Sequence, residues 1–487
     1  MKRILIGGIG IIFLLTTSCF SQKEKNNPQN NNNKGTSITL HIKGWEDKDV
    51  VLGAHYLQKT IFLDTLKTNN NGDIVFKTDS ITPTGTYFIV LPKKSFIEII
   101  LDDNNKQFSI TADASDFLNT AKVENSKENE LFLSYQKFSY SNRNKMREFS
   151  KRMMKWHNNP DSVKAINTDI EKFNAWMNNK RQEYIKKAKG TFFAKMLYSM
   201  QETIVPDTFT IPKNLTKAEK DSALRMNKYL YYKNHFFDYI DFSDARLLHT
   251  TILANKLNKF FTQVAYNNSD SITADALKIL AKAGENPKVL DALARLMLKN
   301  FETSGKWANE KAFIAIAEKY FLSGKIPIDE AFKQRLKFKV ETMKKLLPGK
   351  KIPIVPLADM NTGKLINMDT IHAKATILFL WSADCEHCKK YIPGLHKLYE
   401  KYKSKGIQVV AVTVTNDFDV WKKFVMDNGY TDWINARYVG KNYGELVMIY
   451  DVFMTPRVYL LDENKKIVAK DLDLKTLEWV LHEKFDR

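Results

Sequence analysis

Apolar residues change rhythm several times along the chain. After Lys2-Arg3, the stretch from Ile4 to Leu15 is almost continuously apolar. That is signal-peptide length and too short to span a bilayer. From Phe20 to Gly35 apolar residues all but vanish, with Asn26-Asn27-Pro28-Gln29-Asn30-Asn31-Asn32-Asn33-Lys34-Gly35 as the extreme. Such a segment cannot repay the entropy of ordering and reads as a flexible tether. From Ser37 to about Asp113 short alternating runs take over: Ile38-Thr39-Leu40-His41-Ile42, Ile74-Val75-Phe76, Tyr87-Phe88-Ile89-Val90-Leu91 and Phe96-Ile97-Glu98-Ile99-Ile100-Leu101. Turn residues Asn71-Gly72-Asp73, Pro83-Thr84-Gly85 and Asp102-Asp103-Asn104-Asn105 separate them. This predicts a compact antiparallel β domain of sandwich type over residues 37–120.

The period then lengthens to that of helices. Ile166, Ile170, Phe173 and Trp176 share one face, as do Leu290, Leu293, Leu296 and Met297, and Phe313, Ile316, Ala317 and Tyr320. A helical domain is predicted over 125–347, with the aromatic run from His235 to Phe242 in its core. Beyond Lys350-Lys351-Ile352-Pro353 strands and helices alternate. A hairpin over 354–367 leads to strand 375–380, a helix from about 385 to 404, strand 407–414 and a helix around 420–427. Strands 457–461 and 467–469 and helix 474–485 complete an α/β domain over 348–487, a mixed sheet covered on both faces.

Charge changes this picture little. The formal net charge is +20, and from Lys350 onward 21 basic residues face 18 acidic ones, leaving +3 there and +17 before it. Those lysines are scattered through helical patterns without zinc-finger spacing or an aromatic-interleaved basic motif. A solvated basic face, attracted at most to an anionic membrane surface, is the reading, and nucleic acid is not expected as a partner.

Cysteine usage is more telling. Of three cysteines, Cys19 closes the N-terminal segment, leaving only Cys385 and Cys388 for the folded part. A disulfide-stapled exported domain would carry more. Thr16-Thr17-Ser18-Cys19 resembles the bacterial lipobox, with Thr16 where Leu is usual. The resemblance implies a signal peptide over 1–18, a lipid-modified Cys19 and a tether over 19–36. Phe20, in place of Asp, points to the outer membrane, facing the periplasm. An ordinary cleaved signal with a free cysteine is the alternative.

Cys385-Glu386-His387-Cys388 sits where the apolar run Ala375–Leu380 hands over to a helix. Backbone N–H groups and the helix dipole at that junction favour a thiolate on the first cysteine. A zinc site would need two further soft ligands; no cysteine remains, and His372, His387 and His396 lack suitable spacing, so no metal is expected. No Pro-x-x-x-Thr-x-x-Cys pattern leads into Cys385, which argues against a peroxidatic site.

Trp381 before the cysteine pair, Pro393 within the following helix and Thr455-Pro456 ahead of Arg457-Val458-Tyr459-Leu460-Leu461 together resemble the TlpA/ResA-like thioredoxin-fold thiol–disulfide oxidoreductases, over about 140 C-terminal residues. The resemblance implies that Cys385 attacks, Cys388 resolves and Pro456 is the cis-proline beside them. Trp381, Glu386, His387 and Thr455 are the implied supporting residues. It departs at Phe379, where thioredoxin has a buried aspartate, and at Tyr391, where ResA-like reductases carry a glutamate. The β and helical segments resemble uncharacterised domains that precede such modules in bacterial lipoproteins. The implied activity is exchange with protein thiols and disulfides by a redox-active disulfide alone, without other cofactors. Reductase or isomerase is favoured over net oxidant, with electrons from an inner-membrane relay or carrier. The rival reading is a cell-envelope binding lipoprotein whose thioredoxin-like part is structural.

Overall fold

The computed structural model describes residues 35–78, 83–91, 95–302 and 309–486. The expected signal segment, Cys19 and the tether up to Lys34 lie outside them.

The β domain comprises β1 (Thr36–Lys43), β2 (Asp49–Tyr56), β3 (Lys59–Lys67), β4 (Asp73–Thr78), β5 (Gly85–Leu91), β6 (Ser95–Leu101), β7 (Gln107–Asp113), a short α1 (Phe117–Thr120) and β8 (Lys122–Glu124). They form two four-stranded sheets, ordered β4-β1-β7-β8 and β3-β2-β5-β6. Ile38, Leu40 and Ile42 from one sheet meet Ile89, Ile97 and Ile99 from the other in one core, as alternation requires. The tight Asn71-Gly72 turn needs its glycine: φ is +78° and a Cβ would stand 2.3 Å from the Ile42 carbonyl oxygen. Two expectations are corrected. The sheets are not purely antiparallel, because β1 and β7 run parallel from Ser37↔Gln107 to Lys43↔Asp113. The chain lays down the second sheet before returning beside β1, and so distant a pairing leaves no hairpin signal. The first sheet also extends past residue 120 through β8, and β1 starts at Thr36, inside the expected tether.

The helical domain holds α2 (Lys127–Trp156), α3 (Pro160–Lys187), α4 (Phe192–Ser199), α5 (Lys217–His235), α6 (Ile252–Lys259), α7 (Ser269–Lys282), α8 (Pro287–Phe301), α9 (Glu310–Ile316) and α10 (Glu330–Lys345). Ser126, Asn159 and Thr216 cap α2, α3 and α5 by accepting from N–H groups of the first turn. Phe236, Phe237, Ile240 and Phe242 lie in the core. The Phe313–Tyr320 face is not one α-helix: after Ile316 the ladder widens into a π-helical stretch over Ala317–Leu322. Backbone and side-chain hydrogen bonds join this domain to the sandwich. The Asn129 side chain accepts from Ile100 N–H at 2.7 Å and donates to Ile100 O at 2.8 Å, and Leu57 N–H donates to Leu248 O at 2.7 Å. Among the described residues no helix is long and apolar enough to cross a membrane.

The C-terminal domain contains β9 (Leu357–Asp359), β10 (Leu365–Ile366), β11 (Ala375–Trp381), α11 (Glu386–Tyr402), β12 (Ile407–Thr413), α12 (Phe418–Asp427), β13 (Ile434–Tyr438), α13 (Tyr443–Ile449), β14 (Arg457–Asp462), β15 (Ile467–Lys470) and α14 (Leu474–Phe485). Its seven-stranded sheet runs β10-β9-β13-β12-β11-β14-β15. The central β11 is buried throughout, parallel to β12 and antiparallel to β14. Separate cores cover the two faces, one with Ile377, Phe379 and Leu395, the other with Leu378, Leu380 and Tyr459. β13 and α13 escape the sequence reading: Ile434-Asn435-Ala436-Arg437-Tyr438 is short and half polar, and α13 has only seven residues. The segment entering this domain is tied down, since Gly349 N–H donates to Ile467 O at 2.7 Å and Ile467 N–H to Lys350 O at 2.8 Å.

Candidate active site

β11 carries the chain from the middle of the sheet to its carboxyl end, where Ser382-Ala383-Asp384 turn it into α11. Cys385 is the N-cap of that helix, in extended conformation (φ −87°, ψ 113°), and its sulfur accepts the Cys388 N–H at 3.3 Å. A sulfur at an N-cap faces the unpaired N–H groups of the first turn, which stabilise its anion. Thr455 closes the other side: the Cys385 thiol donates to the Thr455 carbonyl at 3.2 Å, and the Thr455–Pro456 peptide is cis. The structure therefore brings together Cys385, Cys388, Thr455 and Pro456, which lie up to 71 positions apart in sequence.

The two thiols stand in opposed surroundings. Cys385 is partly exposed, whereas Cys388 is fully buried. Burial works against ionisation of Cys385, but contacts with the Cys388 thiol and with backbone N–H groups of His387 and Cys388 outweigh it, and the thiol titrates below its ordinary value. Burial pushes Cys388 the other way, up to about 12, and the neighbouring Cys385 sulfur adds to the effect. Ionisation is thus favoured at Cys385 and opposed at Cys388.

Aromatic rings line the buried side. Phe379 stacks between Trp381 and Tyr391 at centroid distances of 6.1 and 5.7 Å, and Trp381 packs against Phe424 at 5.5 Å. Tyr391 donates its hydroxyl to Leu472 O at 2.8 Å, and its burial raises its pKa, so it serves as an anchor and not as a base. Of the other supporting residues, Glu386 and His387 are exposed. Glu386 is bound by Lys389 at 2.9 Å, which holds its carboxyl below the usual range. Its negative charge is thereby offset close to its source.

Beyond Pro456 lies a group that the sequence reading missed. Arg457, only 7% exposed, reaches Asp471 at 3.2 Å and both Asp451 and Glu310 at 3.6 Å, while Glu310 also meets Lys470. Arg457 Nε donates to the Tyr459 hydroxyl at 3.2 Å, which donates to Tyr450 O at 2.6 Å. Burial presses Lys470 down and Asp471 up from their ordinary values. Glu310 opens α9, so the helical domain docks onto the strand that follows the cis-proline. A charged residue heading the apolar run Val458–Leu461 was the available signal.

Histidine spacing also missed one trio. His396 Nε2 lies 2.9 Å from Asp432, 36 positions further on, with Glu400 beside them on the same helix face. Lys403 stands 2.5 Å from Glu400 and 3.8 Å from Asp432, so an ammonium already meets these carboxylates.

A buried central strand, an N-cap dithiol on the following helix and a facing cis-proline define the thioredoxin-fold class. Residues 348–470 match the AhpC/TSA family, residues 175–346 a domain of unknown function, DUF5106, and residues 36–132 another, DUF4369. ResA, a thiol-disulfide oxidoreductase of Bacillus thuringiensis subsp. konkukian (strain 97-27), is 29% identical over 122 residues, 25% of this chain and 68% of that protein. The ResA of Bacillus subtilis (strain 168) is 30% identical over 120 residues, 25% of this chain and 64% of that protein. A crystal structure of a thioredoxin-like protein from Bacteroides caccae ATCC 43185 aligns at 19% identity and TM-score 0.47, covering 58% of this chain and 99% of that one. The C-terminal domain is thus similar to the AhpC/TSA family over residues 348–470 and is a thioredoxin-like thiol–disulfide oxidoreductase. Leu378 and Ser382 stand at the Pro and Thr positions of the peroxidatic lead-in.

Proposed function

We propose that the chain is an exported lipoprotein, anchored through Cys19 and facing the periplasm from the outer membrane, that reduces or isomerises disulfides of envelope proteins. The observation that carries the chemical part is the asymmetry of the two thiols. The Cys385 thiolate attacks one sulfur of a substrate disulfide, the S–S bond breaks, and the departing sulfur takes up a proton. Cys388 then loses its proton and attacks Cys385, releasing the second substrate thiol. Two electrons have passed to the substrate, and the Cys385–Cys388 disulfide remains for an inner-membrane relay or carrier to reduce. Phe453 and Met454, 57% and 63% exposed immediately before Thr455, offer an apolar flank to an extended polypeptide. Lys339 of α10 lies 5.8 Å from the Phe453 ring, so the helical domain borders that flank.

The test is a trap. With Cys388→Ala, mixed disulfides through Cys385 accumulate in the envelope, and the parent protein reduces insulin. No trapped partner together with no insulin reduction sinks the proposal. Reduction potential then sets direction: a value near −270 mV fits a reductant and one near −120 mV an oxidant. Radiolabelled palmitate on the parent and none on Cys19→Ala tests the anchor.

A further inference from the structure

Nothing in the redox chemistry uses the α2–α3 hairpin. Its helices have 30 and 28 residues, which at about 1.5 Å per residue is a length of roughly 40 Å or more. Where α2 meets the sandwich it buries Phe132, Leu133 and Tyr135, but further along it buries only Phe149, and α3 buries only Ile166 and Phe173. Phe149 and Phe173 meet at 5.7 Å. The outer half is therefore two helices gripping each other, with their remaining faces in solvent.

That outer half carries a net positive charge on α2. From Arg143 to Lys155 there are six basic residues, Arg143, Lys145, Arg147, Lys151, Arg152 and Lys155, against one acid, Glu148. Arg152 is half-buried and paired with Asp169 at 2.9 Å; the other five are exposed. Across the turn, up to Phe173, α3 brings Asp161, Asp169 and Glu171 against Lys164 and Lys172, so the positive excess lies on α2. At the tip Met154 is 74% exposed and Trp156 44%.

We infer that this hairpin tip rests on an anionic phospholipid surface, with Trp156 and Met154 at the boundary between headgroups and acyl chains. Long basic side chains spread along a convex rod suit a diffuse negative sheet and offer no cradle for a small anion. Indole rings settle at such boundaries. Stacking on nucleobases is disfavoured because Arg143 and Lys155 already lie 5.4 and 5.1 Å from the Tyr140 and Trp156 rings. The contact is peripheral and stands independently of Cys19; where both exist, two weak attachments reinforce each other.

Co-sedimentation of the chain from Phe20 onward, which retains every described element and lacks Cys19, tests this. Vesicles of phosphatidylglycerol and phosphatidylethanolamine should retain it at 50 mM salt and release it at 500 mM, and phosphatidylcholine vesicles should not retain it. Replacing Arg147, Lys151 and Lys155 with Glu should weaken retention at least tenfold, and Trp156→Ala severalfold. All these positions are exposed, so reduction of a small disulfide should remain at the parental rate and report that each variant is folded. Equal retention of parent and triple variant would overturn the inference. So would absence of retention on the anionic vesicles, or tighter binding to duplex RNA or polyglutamate that is indifferent to Trp156→Ala.

Discussion

Two neighbouring regions of the C-terminal domain share the Thr455–Pro456 peptide and are built in opposite ways. On one side a pair of thiols lies against Phe379, Trp381 and Tyr391, where burial raises Cys388 and Tyr391 while hydrogen bonds lower Cys385. On the other, Arg457 gathers Asp451, Asp471 and Glu310, with Lys470 beside them. The first region sets reactivity by burial and hydrogen bonds. The second fixes the strand behind the cis-proline and docks the helical domain by charge. Keeping carboxylates on the far side leaves Cys388 without the proton acceptor that an acid at position 379 or 391 would supply.

Substitutions can break the comparison at graded strengths. Cys385→Ala should abolish exchange, bringing insulin reduction to the uncatalysed background while the urea midpoint barely moves, because the site is partly exposed. Arg457→Met should do the reverse. It leaves three carboxylates facing one ammonium in a buried site, and removing one partner from such a cluster destabilises by about 3–5 kcal/mol, read from urea unfolding. A loss under about 1 kcal/mol would mean that solvent or proton uptake relieves the cluster.

Phe379→Asp would bring a carboxylate to the dry side. Stability should fall by about 2–4 kcal/mol from burial of the acid. The lifetime of a mixed disulfide on Cys385 should shorten about tenfold as Cys388 gains a general base, in stopped-flow release of a fluorescent thiol. An unchanged lifetime would show that the aromatic wall does not limit the resolving step. The smallest effect belongs to Glu386→Gln. Glu386 is exposed and paired with Lys389, so thiolate titration at 240 nm should place Cys385 within about 0.3 of its parental pKa.

Much of this is legible in the sequence. The apolar run into β11, the two cysteines three apart and the Thr-Pro before another apolar run are local patterns, and each element follows from its own residues. The parallel pairing of β1 with β7 was not legible, because its partners are some 70 positions apart. Neither was the role of Arg457. Its partners at 310, 451 and 471 come from three separate stretches, and no periodicity links them. The trio of His396, Glu400 and Asp432 was hidden likewise, since its third member arrives from beyond β12 and α12.

The asymmetry of the two sulfurs is measured most directly by alkylating the fully reduced chain across pH and mapping the label by mass spectrometry. Alkylation follows the thiolate. Cys385 should label first, with its rate half-maximal below the ordinary thiol range, because its folded pKa is lowered. Cys388 should stay protected as pH rises until its own ionisation near about 12. Equal labelling of both sulfurs at neutral pH, or Cys388 labelling ahead of Cys385, would contradict the account.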